Sequence, residues 1–176
     1  MNIKTIGVVG AGTMGNGIVQ VCATAGLKVI MQDINDTQVE RGLTTIAGSL
    51  DRLIKKEKIS EQDKQATLAN ISTTTALADL ADTDIVIEAA TENEAIKLDI
   101  FKQLDELCQP QTILASNTSS ISLTRIAGAT QRADQVIGMH FMNPVPIMAL
   151  VEVIRALQTS DTTYQAVHEL SEFIGK

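Results

Sequence analysis

Residues 4–33 read KTIGVVGAGTMGNGIVQVCATAGLKVIMQD, and this stretch decides the fold. Residues 6–9 form a short apolar, β-rich run. They lead directly into Gly10-Ala11-Gly12-Thr13-Met14-Gly15, the pattern G-x-G-x-x-G. An apolar helical segment over 14–25 follows, and Gly26 closes it. A second apolar run, 27–31, ends just before Asp33. Strand, glycine turn, helix, strand and acid thus follow one another within thirty residues.

Each piece has a physical role if a dinucleotide binds here. Gly10 makes the tight turn, Gly12 lets the backbone approach a pyrophosphate, and Gly15 lets the helix pack closely on the strand. Thr13 and Met14 stand where that helix begins, so the pyrophosphate would lie at their end of it, among free N–H groups and the positive end of the dipole. Asp33 lies eighteen residues beyond Gly15, close to the spacing of about 20 for an acid that hydrogen-bonds the adenosine ribose. A carboxylate there also repels a 2′-phosphate, so the expected cofactor is NAD in preference to NADP. Three turn glycines in an unrelated loop are the alternative. The flanking strands, the helix and the acid tell against it.

The chain has 176 residues, enough for one domain with a proper core. Its net charge of −7 and pI near 4.8 argue against nucleic acid and anionic membranes as partners, since both require a basic face. Aromatic residues make up 2%, too few for base-stacking platforms. Backbone amides can still hold an anionic cofactor. Cys22 and Cys108 each fall in a helical segment among apolar neighbours and read as reduced core residues. No ligand cluster suggests a metal. The first strand begins near residue 4, leaving no room for a signal peptide, and no apolar run approaches 18 residues. The expectation is a soluble cytoplasmic protein.

From Asn35 the pattern turns helical. Asn35 with Gln38 resembles a capping box, and Val39, Leu43, Ile46, Leu50 and Leu53/Ile54 recur at helical spacing. Ser60 with Asp63 starts a shorter helix to about residue 70. Together they predict a helical hairpin between the second and third strands. Lys55, Lys56 and Lys58 cluster at the end of its first arm. They suit the negative end of the helix dipole, or they await a phosphorylated ligand; the residues alone favour the first.

Strands follow near 71–73, 84–88 and 112–115. Between the last two lies a helix over 93–107 that carries Ile96, Ile100, Leu104 and Leu107 on one face and stops before Pro110. The third of these strands runs into Ser116-Asn117-Thr118-Ser119-Ser120, more small polar residues than a helix cap needs, at a strand end where parallel sheets bind ligands. A sixth strand over 135–139 delivers His140 and a proline-stiffened loop, Phe141-Met142-Asn143-Pro144-Val145-Pro146. A rigid loop carrying His and Asn reads as a site. Twelve residues after His140, Glu152 is the lone acid in Leu-Val-Glu-Val-Ile. That is far enough for the chain to turn back and set a buried carboxylate against the imidazole, holding its tautomer. A core histidine and an exposed edge carboxylate are the alternatives. His168, in a last helix over 162–174, reads as solvated surface. The alternation of strands and helices predicts an α/β fold: a Rossmann-type, doubly wound, mostly parallel sheet with the hairpin inserted between strands 2 and 3.

Three motifs in this order, VVGAGTMGNGIVQ, SNTSS and HFMNPVPIMALVEVI, resemble the L-3-hydroxyacyl-CoA dehydrogenase family, including bacterial 3-hydroxybutyryl-CoA dehydrogenases. The resemblance spans essentially the whole chain. It implies NAD-dependent oxidation of an L-3-hydroxyacyl-CoA, and the reverse, in fatty acid metabolism and β-oxidation. It implies His140 as base for the 3-hydroxyl, Glu152 as its orienting partner, Ser119 on the reacting oxygen, and Asn143 placing substrate and nicotinamide. It implies Glu92 and Lys97 near the nicotinamide ribose, and Ser49 and Lys56 on coenzyme A, which reverses the reading of the lysine cluster. It also implies that residues 1–176 are the NAD-binding domain alone. The all-helical domain that follows in the family and makes most of the dimer contact would then be absent, leaving homo-oligomer formation to other surfaces. An NAD-binding module without turnover and an NAD-dependent sugar-acid dehydrogenase are the alternatives.

Overall fold

The structure is a computed structural model and describes residues 3–176. Its chain order is β1 (Thr5–Val9), α1 (Thr13–Thr24), β2 (Lys28–Gln32), α2 (Asp36–Lys55), α3 (Glu61–Ala69), β3 (Ile71–Thr74), β4 (Ile85–Glu88), α4 (Glu94–Leu107), β5 (Ile113–Ser116), α5 (Leu123–Ala127), β6 (Val136–Phe141), β7 (Val151–Arg155) and α6 (Asp161–Phe173). The strands form one seven-stranded sheet in the order β3-β2-β1-β4-β5-β6-β7. All neighbours pair in parallel except β6 and β7, which are antiparallel.

Side-chain alternation along the strands divides the core between the two faces. Ile6, Val8, Ile85, Ile87, Ile137 and Met139 point to one side. There they pack on Ile18 and Cys22 of α1, Ile46 and Leu50 of α2, and Val167 and Leu170 of α6. Val9, Val86, Leu114 and Val136 point to the other side, against Phe101 and Leu104 of α4 and Ile126 of α5. With helices on both faces this is the expected Rossmann-type α/β sheet. The chain leaves β1 for β2 and β3, then returns to build β4 on the opposite flank. The strand order therefore reverses at β1/β4, where such sheets open a ligand crevice.

The helical hairpin forms as expected. Asn35 accepts a hydrogen bond from the Gln38 N–H at 3.0 Å, half of the anticipated box. Ser60 and Asp63 complete both halves of theirs, at 2.8 and 3.1 Å. Lys64 of α3 pairs with Asp51 of α2 at 2.6 Å and ties the arms together.

Three expectations need correction. The buried face of α4 is Lys97, Phe101, Leu104 and Cys108, whereas Ile96 and Leu107 are exposed. The helix is rotated by one residue because Lys97 turns inward to meet Glu88 at the end of β4, the central strand. His140 lies within β6 rather than beyond it, because β7 pairs as far as Phe141 and prolongs the strand. Glu152 is half-exposed, not buried, since β7 is the last strand of the sheet. Among the described residues, no helix is long and apolar enough to cross a membrane.

Candidate functional site

The glycine turn meets each steric demand placed on it. Gly10 has φ +104°, and a Cβ there would lie 2.7 Å from the Ala89 carbonyl oxygen. A Cβ on Gly15 would fall 1.7 Å from the Gly10 carbonyl oxygen, so any side chain would push α1 off the turn. Gly12 differs: nothing lies within 4 Å of where its Cβ would be, which leaves an open cradle over the backbone.

That cradle sits on a helix terminus left without a side-chain cap. Asn35, Ser60, Asn93, Ser122 and Ser160 each cap the helix that follows them. At α1 the cap position is Gly12, with no side-chain hydrogen bond and no acid in the first turn. The first-turn N–H groups are thus available to an anion. Asp33 faces the same turn from the end of β2: one carboxylate oxygen accepts the Ala11 N–H at 2.7 Å and the other the Ile34 N–H at 2.7 Å. Open backbone, uncapped helix end and adjacent carboxylate together fit a dinucleotide.

Two clefts flank α1. One, of about 280 Å³, is lined by Gly12, Thr13 and Met14 on the helix side and by Ala90, Glu92 and Lys97 on the other, with Asn117 at its end. Glu92 and Lys97 approach to 3.9 Å. The second cleft, of about 260 Å³, brings Ser49 and Lys56 of the hairpin together with Asn143 and the proline loop. Arg52 lines it as well. Sequence reasoning passed over Arg52, although its place one turn before Lys56 was the available signal. Lys55 and Lys58, the other members of the cluster, stay outside this lining.

The proline loop is seated firmly. A Cβ on Gly17 would meet Val145 Cβ at 2.8 Å, so the loop rests directly on α1. Lys176 Nζ donates to the Val145 and Met148 carbonyls at 2.6 and 2.7 Å. Asn117 accepts the Phe141 N–H at 2.8 Å and ties the end of β6 to the loop after β5, which carries an exposed Ser119.

His140 and Glu152 are register partners across β6 and β7, and Nδ1 lies 2.7 Å from Oε2. A carboxylate offers only acceptors, so Nδ1 carries a proton, and in the neutral ring Nε2 then presents its lone pair. The ring is mostly buried, with 19% of its surface open. Neither residue lines the two clefts beside α1. His168 stands apart on α6, 3.7 Å from Glu172, with its ring tilted 45° to that of Tyr164 at 5.9 Å. Cys22 and Cys108 are buried, and burial raises their thiol pKa values to about 12 and about 11.

The sequence matches the family described as 3-hydroxyacyl-CoA dehydrogenase, NAD binding domain, over residues 5–176. A 3-hydroxybutyryl-CoA dehydrogenase of Bradyrhizobium diazoefficiens is 47% identical over 174 residues, covering 99% of this chain and 59% of that protein. A probable 3-hydroxybutyryl-CoA dehydrogenase of Bacillus subtilis is 50% identical, covering 100% of this chain and 61% of its own length. The crystal structure of (S)-3-hydroxybutyryl-CoA dehydrogenase from Ralstonia eutropha superposes with a TM-score of 0.98 at 60% identity, covering 99% of this chain and 62% of that one. The chain therefore spans about three fifths of the length of these relatives. With the glycine turn, its open cradle and a match across nearly every residue, the chain belongs to the 3-hydroxyacyl-CoA dehydrogenase NAD-binding-domain family, and its cofactor is NAD.

Proposed function

We propose that residues 1–176 form the NAD-binding domain of a dehydrogenase that interconverts L-3-hydroxyacyl-CoA and 3-oxoacyl-CoA. The observation that carries this reading is the His140–Glu152 pair, set at the end of β6 in the same sheet as the glycine turn. Gly10, Gly12, Thr13, Met14 and Gly15 hold the pyrophosphate through backbone N–H groups, and Asp33 takes the adenosine ribose. Glu92 and Lys97 face the second ribose.

When bound, NAD supplies the hydride acceptor, or NADH the donor, for the substrate carbon. In the oxidative direction His140 Nε2 accepts the 3-hydroxyl proton, and the positive charge that develops on the ring is balanced by Glu152 beside Nδ1. In reduction the same nitrogen returns the proton to the oxygen of the forming alkoxide. Ser119 donates a hydrogen bond to that oxygen, and the Asn143 amide orients the acyl group. Coenzyme A lies along α2, where Ser49, Arg52 and Lys56 meet its phosphates.

Acetoacetyl-CoA-dependent NADH oxidation, with NADH binding titrated on the same sample, tests this reading. Turnover that is lost in His140→Gln while NADH still binds supports it. NADH binding without any turnover supports the second reading, a cofactor-binding module.

A further inference from the structure

Two deeply buried charges meet beside the cleft, and one of them, Glu88, has no part in the function proposed above. Glu88 ends β4 with none of its surface exposed, and Lys97 on α4 is 1% exposed. The two form an ion pair. Glu88 Oε1 also accepts the Ala90 N–H at 2.8 Å and the Thr91 N–H at 3.4 Å, and its Oε2 accepts the Ser116 hydroxyl at 3.0 Å. Lys97 in turn reaches Ser116 Oγ at 3.4 Å and lies 3.9 Å from Glu92 Oε1. The other Glu92 oxygen accepts the hydroxyls of Thr118 and Ser120 at 2.9 and 2.8 Å. One connected network therefore joins the ends of β4 and β5, the start of α4 and the loops after both strands.

The strand order says which part of a dinucleotide this network faces. β1 lies between β2 and β4, with β5 and β6 beyond. A pyrophosphate on α1 with its adenosine toward Asp33 must extend its other half across the ends of β4 and β5, toward His140. That path crosses the cleft lined by Ala90, Thr91, Glu92, Lys97 and Asn117. An ammonium has three donors. Glu88 and Ser116 take two of those on Lys97, which leaves the third on the side of Glu92 and the cleft.

We propose that Glu88 is the positioning residue of the nicotinamide-ribose subsite. It touches no cofactor. Its buried carboxylate fixes the direction of the Lys97 ammonium and pins the turn at 89–92, so a donor and an acceptor stand ready for the ribose hydroxyls before binding. A buried ion pair is weak support for stability, because desolvation offsets much of the attraction. Its retention fits a role in orienting groups. The proposal rests on the NAD reading of the cleft.

Parallel titrations with NADH and with ADP, which fills only the adenosine and pyrophosphate half, test it in Glu88→Gln. Glutamine keeps the shape and an acceptor for the two backbone N–H groups but presents no negative charge to Lys97. The expected result is an NADH Kd raised about tenfold, the scale of one lost charge-assisted hydrogen bond, with the ADP Kd unchanged. Unchanged NADH affinity, or equal weakening of both ligands, overturns the proposal. Should Glu88→Gln not fold, Glu88→Asp keeps the charge but draws it back from the Lys97 ammonium: NADH weakened and ADP unchanged supports the proposal, and NADH bound as in the wild type overturns it. Wild-type protein that binds neither ligand would instead refute the NAD reading, and this inference with it.

Discussion

His140 and Glu152 face each other across the antiparallel β6–β7 pair, with Nδ1 2.7 Å from Oε2, although twelve residues separate them in the chain. The proline loop supplies the reversal and the strand pairing supplies the register. The imidazole is thus oriented by backbone geometry as well as by its carboxylate.

Glu152→Gln keeps the size of the side chain but removes the charge and lets an amide N–H face Nδ1. Acetoacetyl-CoA reduction should fall by about 100-fold or more, the lower end of what positioned acid–base catalysis contributes. NADH affinity should hold. Steady-state kinetics beside an NADH titration checks this, and a matching loss of NADH binding would assign Glu152 to the fold instead.

Asp33→Ala removes the carboxylate that would repel a 2′-phosphate. The ratio of NADPH to NADH dissociation constants should fall by about tenfold, equivalent to roughly 1.4 kcal/mol. An unchanged ratio would show that Asp33 only braces the glycine turn through Ala11.

Asp84 joins the start of β1 to β4. Burial, the largest influence on its carboxyl, disfavours the charge. The N–H groups of Lys4 and Thr5, at 2.8 Å each, with the Thr5 hydroxyl, together outweigh it and hold the pKa below its ordinary 3.8. A lowered folded-state pKa gives stability that is present above the unfolded value and is lost as pH falls through the folded one. Urea unfolding of wild type and Asp84→Asn should therefore differ most near neutrality and converge below pH 3.8. A gap that stays constant down to about pH 2 would mean the charge plays no part.

Gly17→Ala puts a methyl group 2.8 Å from Val145 Cβ. Overpacking of this kind costs about 1–3 kcal/mol, measurable as a lower urea midpoint. Acetoacetyl-CoA turnover should fall further than NADH affinity, because the displaced loop carries Asn143. Equal losses would place the strain in α1 itself.

Residues 4–33 could be read from the sequence because their signal is local: turn glycines, a strand on either side and an acid at fixed spacing. The pairing of His140 with Glu152 was legible for the same reason, in a stiff loop between a histidine and a lone acid. The phase of α4 was not. A lysine among isoleucines reads as surface, and only a carboxylate from β4, nine residues earlier, makes burying Lys97 tolerable. Glu88 went unremarked because an acid at the end of an apolar strand gives no hint of what stands opposite. The half-exposure of Glu152 depends on β7 closing the row of strands, a property of sheet order that no stretch of residues encodes alone.

Thr13 lines both clefts, and Gly17 seats the proline loop one turn further along the same helix. α1 is in effect a shared wall between the two clefts. No hinge lies between the end that would grip the pyrophosphate and the turn that supports Asn143. The same helix bounds both chambers, so a displacement of α1 would alter the two together.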